Sequence, residues 1–357
     1  MKIVFICPDM DHLWESNEWR CYWPANIINQ TRRHSATVVR CEDFISKTKT
    51  VVDMCNEADI ILIHRNLWVE ILPVIQFWRA RDKIIIADFD EAYHLMKEEE
   101  IQKIAADEGY QNGKEKNDRN DSIPLLTRFK WCLQLVNAAT VPHIQYSDDW
   151  KPYTRVEIIP DYINLDQYID LDKNQHDNVV IGWRGEATTA NCDNNQNVIE
   201  ALREIIHLRP NVRLLTSTKI RSFLKEIPEQ KILLFEDPEK KGWPKRMRDI
   251  DIGIIPRKEN IDMRSSRRPL LEYMVTKTPW VASRCPSYYE FRTYGVQVEN
   301  TAEDWYRALI DVVDHLDDYR IEAALEPYLY AIGQSLEENT NLIIDTYARI
   351  AGYKENL

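Results

Sequence analysis

The chain has 357 residues, 44% of them hydrophobic and 29% charged, with a formal net charge of −12. That length exceeds one typical core, and the balance suits an ordinary folded protein with two of them rather than a disordered chain. The negative charge argues against an overall basic surface for nucleic acid or anionic lipid, although local basic clusters stay open. Seven cysteines (Cys7, Cys21, Cys41, Cys55, Cys132, Cys192 and Cys285) are scattered without any Cys-x-x-Cys. This disfavours a disulfide framework and a zinc site, and fits reduced thiols in a cytoplasmic protein.

From the start, Lys2–Cys7 reads as a core strand that stops at Pro8, too short for a signal-peptide core, and no later apolar run approaches membrane-spanning length. The chain is therefore expected to be cytoplasmic, with no stable membrane insertion, and the sequon Asn29-Gln30-Thr31 is read as a chance match. Further strands are expected at Ala36–Arg40, Ile60–His64, Lys83–Ala87, Ala138–Val141 and Arg155–Ile158, separated by helical patterns such as Ile123, Leu126, Phe129, Leu133 and Val136. This is a Rossmann-like α/β layout without a Gly-x-Gly-x-x-Gly.

Asp88-Phe89-Asp90-Glu91-Ala92-Tyr93-His94 follows one of those strands, which makes Asp90 and His94 the candidates to orient or deprotonate a substrate hydroxyl. The alternative is that Asp88 or Asp90 caps a helix beginning near Glu91. His64, at a strand end, and Arg20, at the start of the first helix, carry the same ambiguity. Lys97 to Asp121 is polar and reads as a protruding loop or frayed helix, either a solvated insertion or a lid. Asp161 to Asp177 reads as a polar linker, after which the strand and helix rhythm restarts.

The second half offers strands at Asn178–Gly182, Val212–Leu215, Lys231–Phe235, Asp251–Ile255, Pro279–Ala282 and Val296–Val298, with helices over Asn194–His207, Ala302–Leu316 and Ser335–Ile350. Between two of these strands lies a loop with Arg257, Lys258, Arg264, Arg267 and Arg268, leading into a helix over Pro269–Thr276 that carries Glu272. In a parallel sheet, ligands bind beyond the carboxyl ends of the strands, where helix starts and loop cations offset phosphate charge. A carboxylate in a first helical turn can grip ribose hydroxyls, so the segment points to a nucleotide site. Glycine is scarce, 9 in 357, which gives weight to Gly182, Gly185 and Gly253 near the proposed phosphate loops.

The run Asp251-Ile252-Gly253-Ile254-Ile255-Pro256, the helix Leu270-Leu271-Glu272-Tyr273-Met274 and the strand Pro279-Trp280-Val281-Ala282-Ser283 together resemble the donor-binding region of GT-B glycosyltransferases, the family 4-like retaining enzymes in particular. Val179–Gly185 is similar to the first strand and loop of that donor domain, and Ile158–Asn164 to the element that ends the acceptor domain. The resemblance implies an α/β chain of two Rossmann-like domains with a cleft between them: an acceptor domain over 1–165 with its insertion near 97–121, a donor domain over 166–334, and a C-terminal helix over 335–357 crossing back onto the first domain. It implies a hexosyl- or pentosyltransferase that moves a sugar from a nucleotide diphosphate sugar to a saccharide or small-molecule acceptor, with retention, no metal and no cofactor beyond that co-substrate.

Glu272 falls on the glutamate that binds the donor ribose in the family, with Leu271 beside it, while Arg184 and Gly185 fall in the pyrophosphate loop and Arg264, Arg267 and Arg268 would hold the leaving diphosphate. The chain departs from the pattern in three places. Arg264 stands where the family has its first, sugar-facing glutamate, which passes sugar recognition to Glu259, Asn260 or Asp262. Pro8-Asp9-Met10-Asp11-His12 replaces the glycine-rich turn, and Glu186 to Asn191 lacks the usual lysine. Two alternatives stay open: a glycosyltransferase acting on hydroxymethylated bases in DNA, for which Lys114, Lys116, Arg119, Arg128 and Lys130 give a weak basic cluster, and a nucleotide-sugar-binding protein without turnover.

Overall fold

Runs such as Ile60-Ile61-Leu62-Ile63 lack polar alternation, as strands do when helices cover both faces of a parallel sheet. The structure is a computed structural model that describes residues 1–8, 16–107, 123–168, 171–184, 196–235, 243–257, 264 and 266–353. Among them, twelve strands form two six-stranded sheets, parallel throughout. The first sheet takes β1 (Lys2–Cys7), β2 (Ser35–Arg40), β3 (Ile60–His64), β4 (Ile84–Asp88), β5 (Ala138–Val141) and β6 (Val156–Ile158) in the order β2-β1-β3-β4-β5-β6. The second takes β7 (Val179–Trp183), β8 (Val212–Ser217), β9 (Ile232–Phe235), β10 (Ile252–Ile255), β11 (Trp280–Ser283) and β12 (Val296–Val298) in the order β12-β11-β10-β7-β8-β9. Each is a Rossmann-like layer with crossover helices on its faces.

Two compact units result, one of Met1–Tyr162 with Leu336–Leu357 and the other of Ile163–Ser335. Within the first, the C-terminal helix Leu336–Ala351 packs on the helix Trp23–Gln30 and sets Tyr347 edge-on to Phe5 of β1, with ring centroids 6.2 Å apart. No helix among the described residues is long and apolar enough to cross a membrane.

Of the two readings of 97–121, a helix holds over Glu98–Asp107, because Ile101 and Ala105 lie one turn apart and are buried, and Glu98 accepts the Leu125 amide at 2.7 Å; residues 108–122 lie outside the described ones. Two expectations need correction. The supposed linker is built into the second unit: Tyr168 is 2% exposed, and Lys173 Nζ donates to the Met247 and Ile250 carbonyls at 2.7 Å each and to Thr278 Oγ1 at 2.6 Å. No helix starts near Glu91; a short 3-10 turn, Tyr93–Leu95, stands there, so neither aspartate is a helix cap.

Gly182 and Gly253 also have a role other than phosphate approach. A Cβ on Gly182 would come within 2.5 Å of Ile250, and one on Gly253 within 2.5 Å of the Tyr273 ring. Both glycines let the helix and turn packed over β7 and β10 approach the sheet. Since the Tyr273 hydroxyl is held at 3.0 Å by the Gly182 carbonyl, the ring cannot retreat without losing that bond. Gly253→Ala is therefore expected to cost about 1–3 kcal/mol by overpacking, read as a lower urea midpoint; an unchanged midpoint would show that the ring yields freely.

Candidate functional site

The chemistry of the second unit gathers at the carboxyl end of β7. Arg184 follows that strand directly, and the helix Arg268–Val275 brings Glu272 to the same place. The helix begins one residue earlier than expected, at Arg268, so Glu272 is its fifth residue and lies in the second turn. The dipole argument loses force there, since that field falls off within the first turn. Direct contacts take its place. Glu272 is 1% exposed; its Oε1 accepts the Tyr168 hydroxyl at 2.7 Å, and its Oε2 accepts Trp243 Nε1 at 3.2 Å and Arg184 Nη1 at 3.5 Å. Arg184 also lies over the Trp243 ring, 5.7 Å from its centroid. Burial, and then the charge of Glu272, push the Tyr273 phenol upward, which keeps it a hydrogen-bond donor.

The described arginines of the basic loop are less open than the sequence suggests. Arg257, 8% exposed, donates through Nε to the Tyr288 hydroxyl at 3.1 Å and through its amide to Ser283 Oγ at 2.8 Å. Tyr288 in turn donates to the Ser266 carbonyl, and Arg268 donates from its amide and its Nε to Ser266 Oγ at 3.1 and 3.0 Å. Arg267 lies close enough to Tyr330 for its charge to act on that phenol. Arg264, Arg267 and Arg268 are all half-buried, and Leu271 is fully buried with its amide on the Arg267 carbonyl, so Leu271 offers a ligand nothing. Gly185, Lys258, Glu259, Asn260 and Asp262 lie outside the described residues.

A cavity of about 730 Å³ opens on another side of Tyr168, lined by Lys173, His176, Asp251, Arg320 and Tyr328. It faces the starts of the strands, and its charges are paired internally, Arg320 with Asp251 at 2.5 Å and Lys173 with the acceptors named above. Ligands of parallel sheets bind at the opposite ends, so the Glu272 cluster is the better site.

In the first unit the two acid-base candidates have different partners. The Asp90 carboxylate is covered and paired with Arg65 Nε at 2.7 Å, while His94 Nε2 lies 3.2 Å from Asp149 with its ring against Trp150. Each candidate is thus engaged with a partner of its own, Asp90 with a guanidinium and His94 with a carboxylate. The side chains that do converge are at neighbouring strand ends: Asp88 receives Arg20 Nη2 at 2.5 Å, Thr140 Oγ1 at 2.6 Å and His64 Nδ1 at 2.8 Å, while His64 Nε2 meets Ser16 Oγ at 3.1 Å. Burial would raise the Asp88 carboxyl, but the charge of Arg20 and the hydrogen bonds of His64 and Arg20 outweigh it and hold the group down at about 2. Arg20 extends the network to the Ile159 carbonyl at 2.6 Å and to Asp161 at 3.4 Å. Because Arg20 neutralises Asp88, this cluster reads as a fixed polar core that orders the π-helix Glu18–Tyr22 rather than as a proton relay. Of the basic cluster considered for DNA, Arg128 is 3% exposed and buried within its helix, and Lys114, Lys116 and Arg119 lie outside the described residues.

No family profile and no curated protein matches the chain. Solved structures do match in fold. HepE from Anabaena, in complex with UDP-glucose, aligns with TM-score 0.68 at 11% identity over 98% of this chain and 100% of that one. Sucrose-phosphate synthase from Thermosynechococcus elongatus aligns with TM-score 0.66 at 10% identity over 99% and 100%. UDP-GlcNAc 2-epimerase from Neisseria meningitidis, bound to UDP-GlcNAc, aligns with TM-score 0.60 at 10% identity over 98% and 100%. The chain has the GT-B fold, with two Rossmann-like domains.

Proposed function

We propose that this chain is a glycosyltransferase that moves a sugar from a nucleoside diphosphate sugar to an acceptor hydroxyl, with retention and without a bound metal, and that the unit Ile163–Ser335 seats the donor. The observation that carries the reading is the buried Glu272 carboxylate facing Arg184 at the carboxyl end of β7, where the resemblance places ribose and diphosphate. The fold supports it, since HepE with UDP-glucose and sucrose-phosphate synthase share it over nearly the whole chain.

In this reading Glu272 accepts ribose hydroxyls, and Arg184 with Arg267 and Arg268 offsets the charge that grows on the diphosphate as the bond from the anomeric carbon to the phosphate oxygen breaks. The acceptor oxygen bonds to that carbon on the same face, and its proton passes to the departing phosphate oxygen. No protein base is needed, which fits the engagement of Asp90 with Arg65.

Incubation of the full chain with UDP-, GDP- and ADP-sugars, with and without a saccharide panel, tests the proposal. The expected result is acceptor-dependent release of one nucleoside diphosphate with the sugar transferred. Epimerised sugar without an acceptor would indicate the chemistry of the epimerase that shares the fold. Binding without turnover would favour an inactive nucleotide-sugar binder, and transfer to hydroxymethylated DNA alone would favour the nucleic-acid alternative, against which the burial of Arg128 already counts.

A further inference from the structure

An ionised carboxylate offers about four acceptor positions, two on each oxygen. On Glu272, Tyr168 takes one position on Oε1, while Trp243 and Arg184 fill both on Oε2. A ribose diol gripped by both oxygens needs one position on each, so one present donor must leave Oε2. Trp243 is 3% exposed and bonds at 3.2 Å, whereas Arg184 is the longest contact at 3.5 Å and its side chain is 34% exposed. Arg184 is the partner that can move, and the Trp243 ring gives its guanidinium a face to slide across.

We infer that Arg184, granted the donor reading above, is an exchange latch that covers Glu272 in the empty site and leaves it only when a diphosphate takes over the guanidinium. A nucleoside alone brings hydroxyls for Glu272 but no anion for the displaced Arg184, so it must break the ion pair without replacing it. A nucleoside diphosphate brings both, and a guanidinium matches phosphate oxygens bidentately. The latch therefore makes ribose recognition conditional on the diphosphate and excludes free nucleosides. Arg184 is a specificity residue as well as a phosphate ligand.

Calorimetric titration of the full chain with the tightest of UDP, GDP and ADP, and with the matching nucleoside, tests this in wild type, Arg184→Met and Arg184→Gln. The expected result is a crossing: in Arg184→Met nucleoside affinity rises about threefold or more while diphosphate affinity falls roughly tenfold or more, as loss of one charge-assisted contact would give. Arg184→Gln removes the charge but keeps a polar side chain at a half-exposed position, and it must show the same crossing if the methionine variant does not fold. A fall in diphosphate affinity with nucleoside affinity unchanged or lower overturns the latch and leaves Arg184 a plain phosphate ligand, with the donor reading intact. Failure of every nucleoside diphosphate to bind the wild type overturns both.

Discussion

Glu272→Ala is expected to bind the nucleoside diphosphate of the donor roughly 5- to 150-fold more weakly than wild type, on the order of 1–3 kcal/mol for lost charge-assisted hydrogen bonds. The substitution acts on the apo protein as well, because the buried Tyr168 hydroxyl and Trp243 indole both lose their acceptor. Each such group left buried without a partner costs about 1–3 kcal/mol, so a lower melting temperature accompanies the binding loss. Glu272→Gln separates the two effects. Its amide oxygen can still accept from one of the two donors, so stability falls less, but the amide lacks the charge and turns an N–H toward the second donor. Donor affinity is expected to fall in both variants, measured by calorimetry at a temperature where circular dichroism shows each of them folded. Unchanged affinity in folded Glu272→Gln would remove Glu272 from the site.

The largest stability loss is expected from Asp88→Asn. Asparagine keeps the shape of the side chain but leaves the Arg20 guanidinium, whose side chain is 3% exposed, with the Ile159 carbonyl and, as its counter-charge among the described residues, the more distant Asp161 carboxylate at 3.4 Å. Breaking one partner of a buried ion pair costs about 3–5 kcal/mol, and here Thr140 and His64 also lose their bond to a charged acceptor. Urea unfolding followed through the first unit should show a clearly lower midpoint. The pH dependence has a definite sign. The folded carboxyl is held at about 2, below the 3.8 of a free aspartate, so the folded state favours the ionised form. The stabilisation, about 2 kcal/mol by linkage, is fully present above pH 4 and is lost as pH falls through 2. Wild type should lose that increment between pH 4 and 2, and Asp88→Asn, which has no proton to gain there, should lose that much less. Parallel acid limbs in the two proteins would show that Asp88 is not the group being protonated.

The strands were legible because a parallel strand covered on both faces needs unbroken Ile and Val. Lys2–Cys7, Ile60–His64, Ala138–Val141 and Val296–Val298 fall where the apolar runs lie, and the other strands differ from those runs by a residue or two at their ends, where a ladder continues into a loop without a change in composition. The helix Glu98–Asp107 was legible only as one of two alternatives, because just two buried residues, Ile101 and Ala105, carry its packing against a run of glutamates and lysines. The Glu272 position was legible through the helix and strand around it, but its partners were not: Tyr168 is 104 residues away and Trp243 is 29, and neither has a local pattern that marks it. The same holds for Arg20, which meets Asp88 across 68 residues because β1, β3 and β4 end side by side. Asp90 and His94 looked poised because they follow a strand. Nothing in their spacing shows that Arg65 and Asp149 engage them.

The most direct test is a double-mutant cycle by calorimetry in which Glu272→Gln is crossed with removal of the ribose hydroxyls, using the tightest-binding of UDP, GDP and ADP and its 2′,3′-dideoxy form. If Glu272 grips the ribose, the two losses overlap and the cycle gives a coupling of on the order of 1–3 kcal/mol. A coupling near zero, with the dideoxy nucleotide binding wild type and variant in the same ratio as the parent, would mean that the ribose lies elsewhere and that this cluster does not seat a donor.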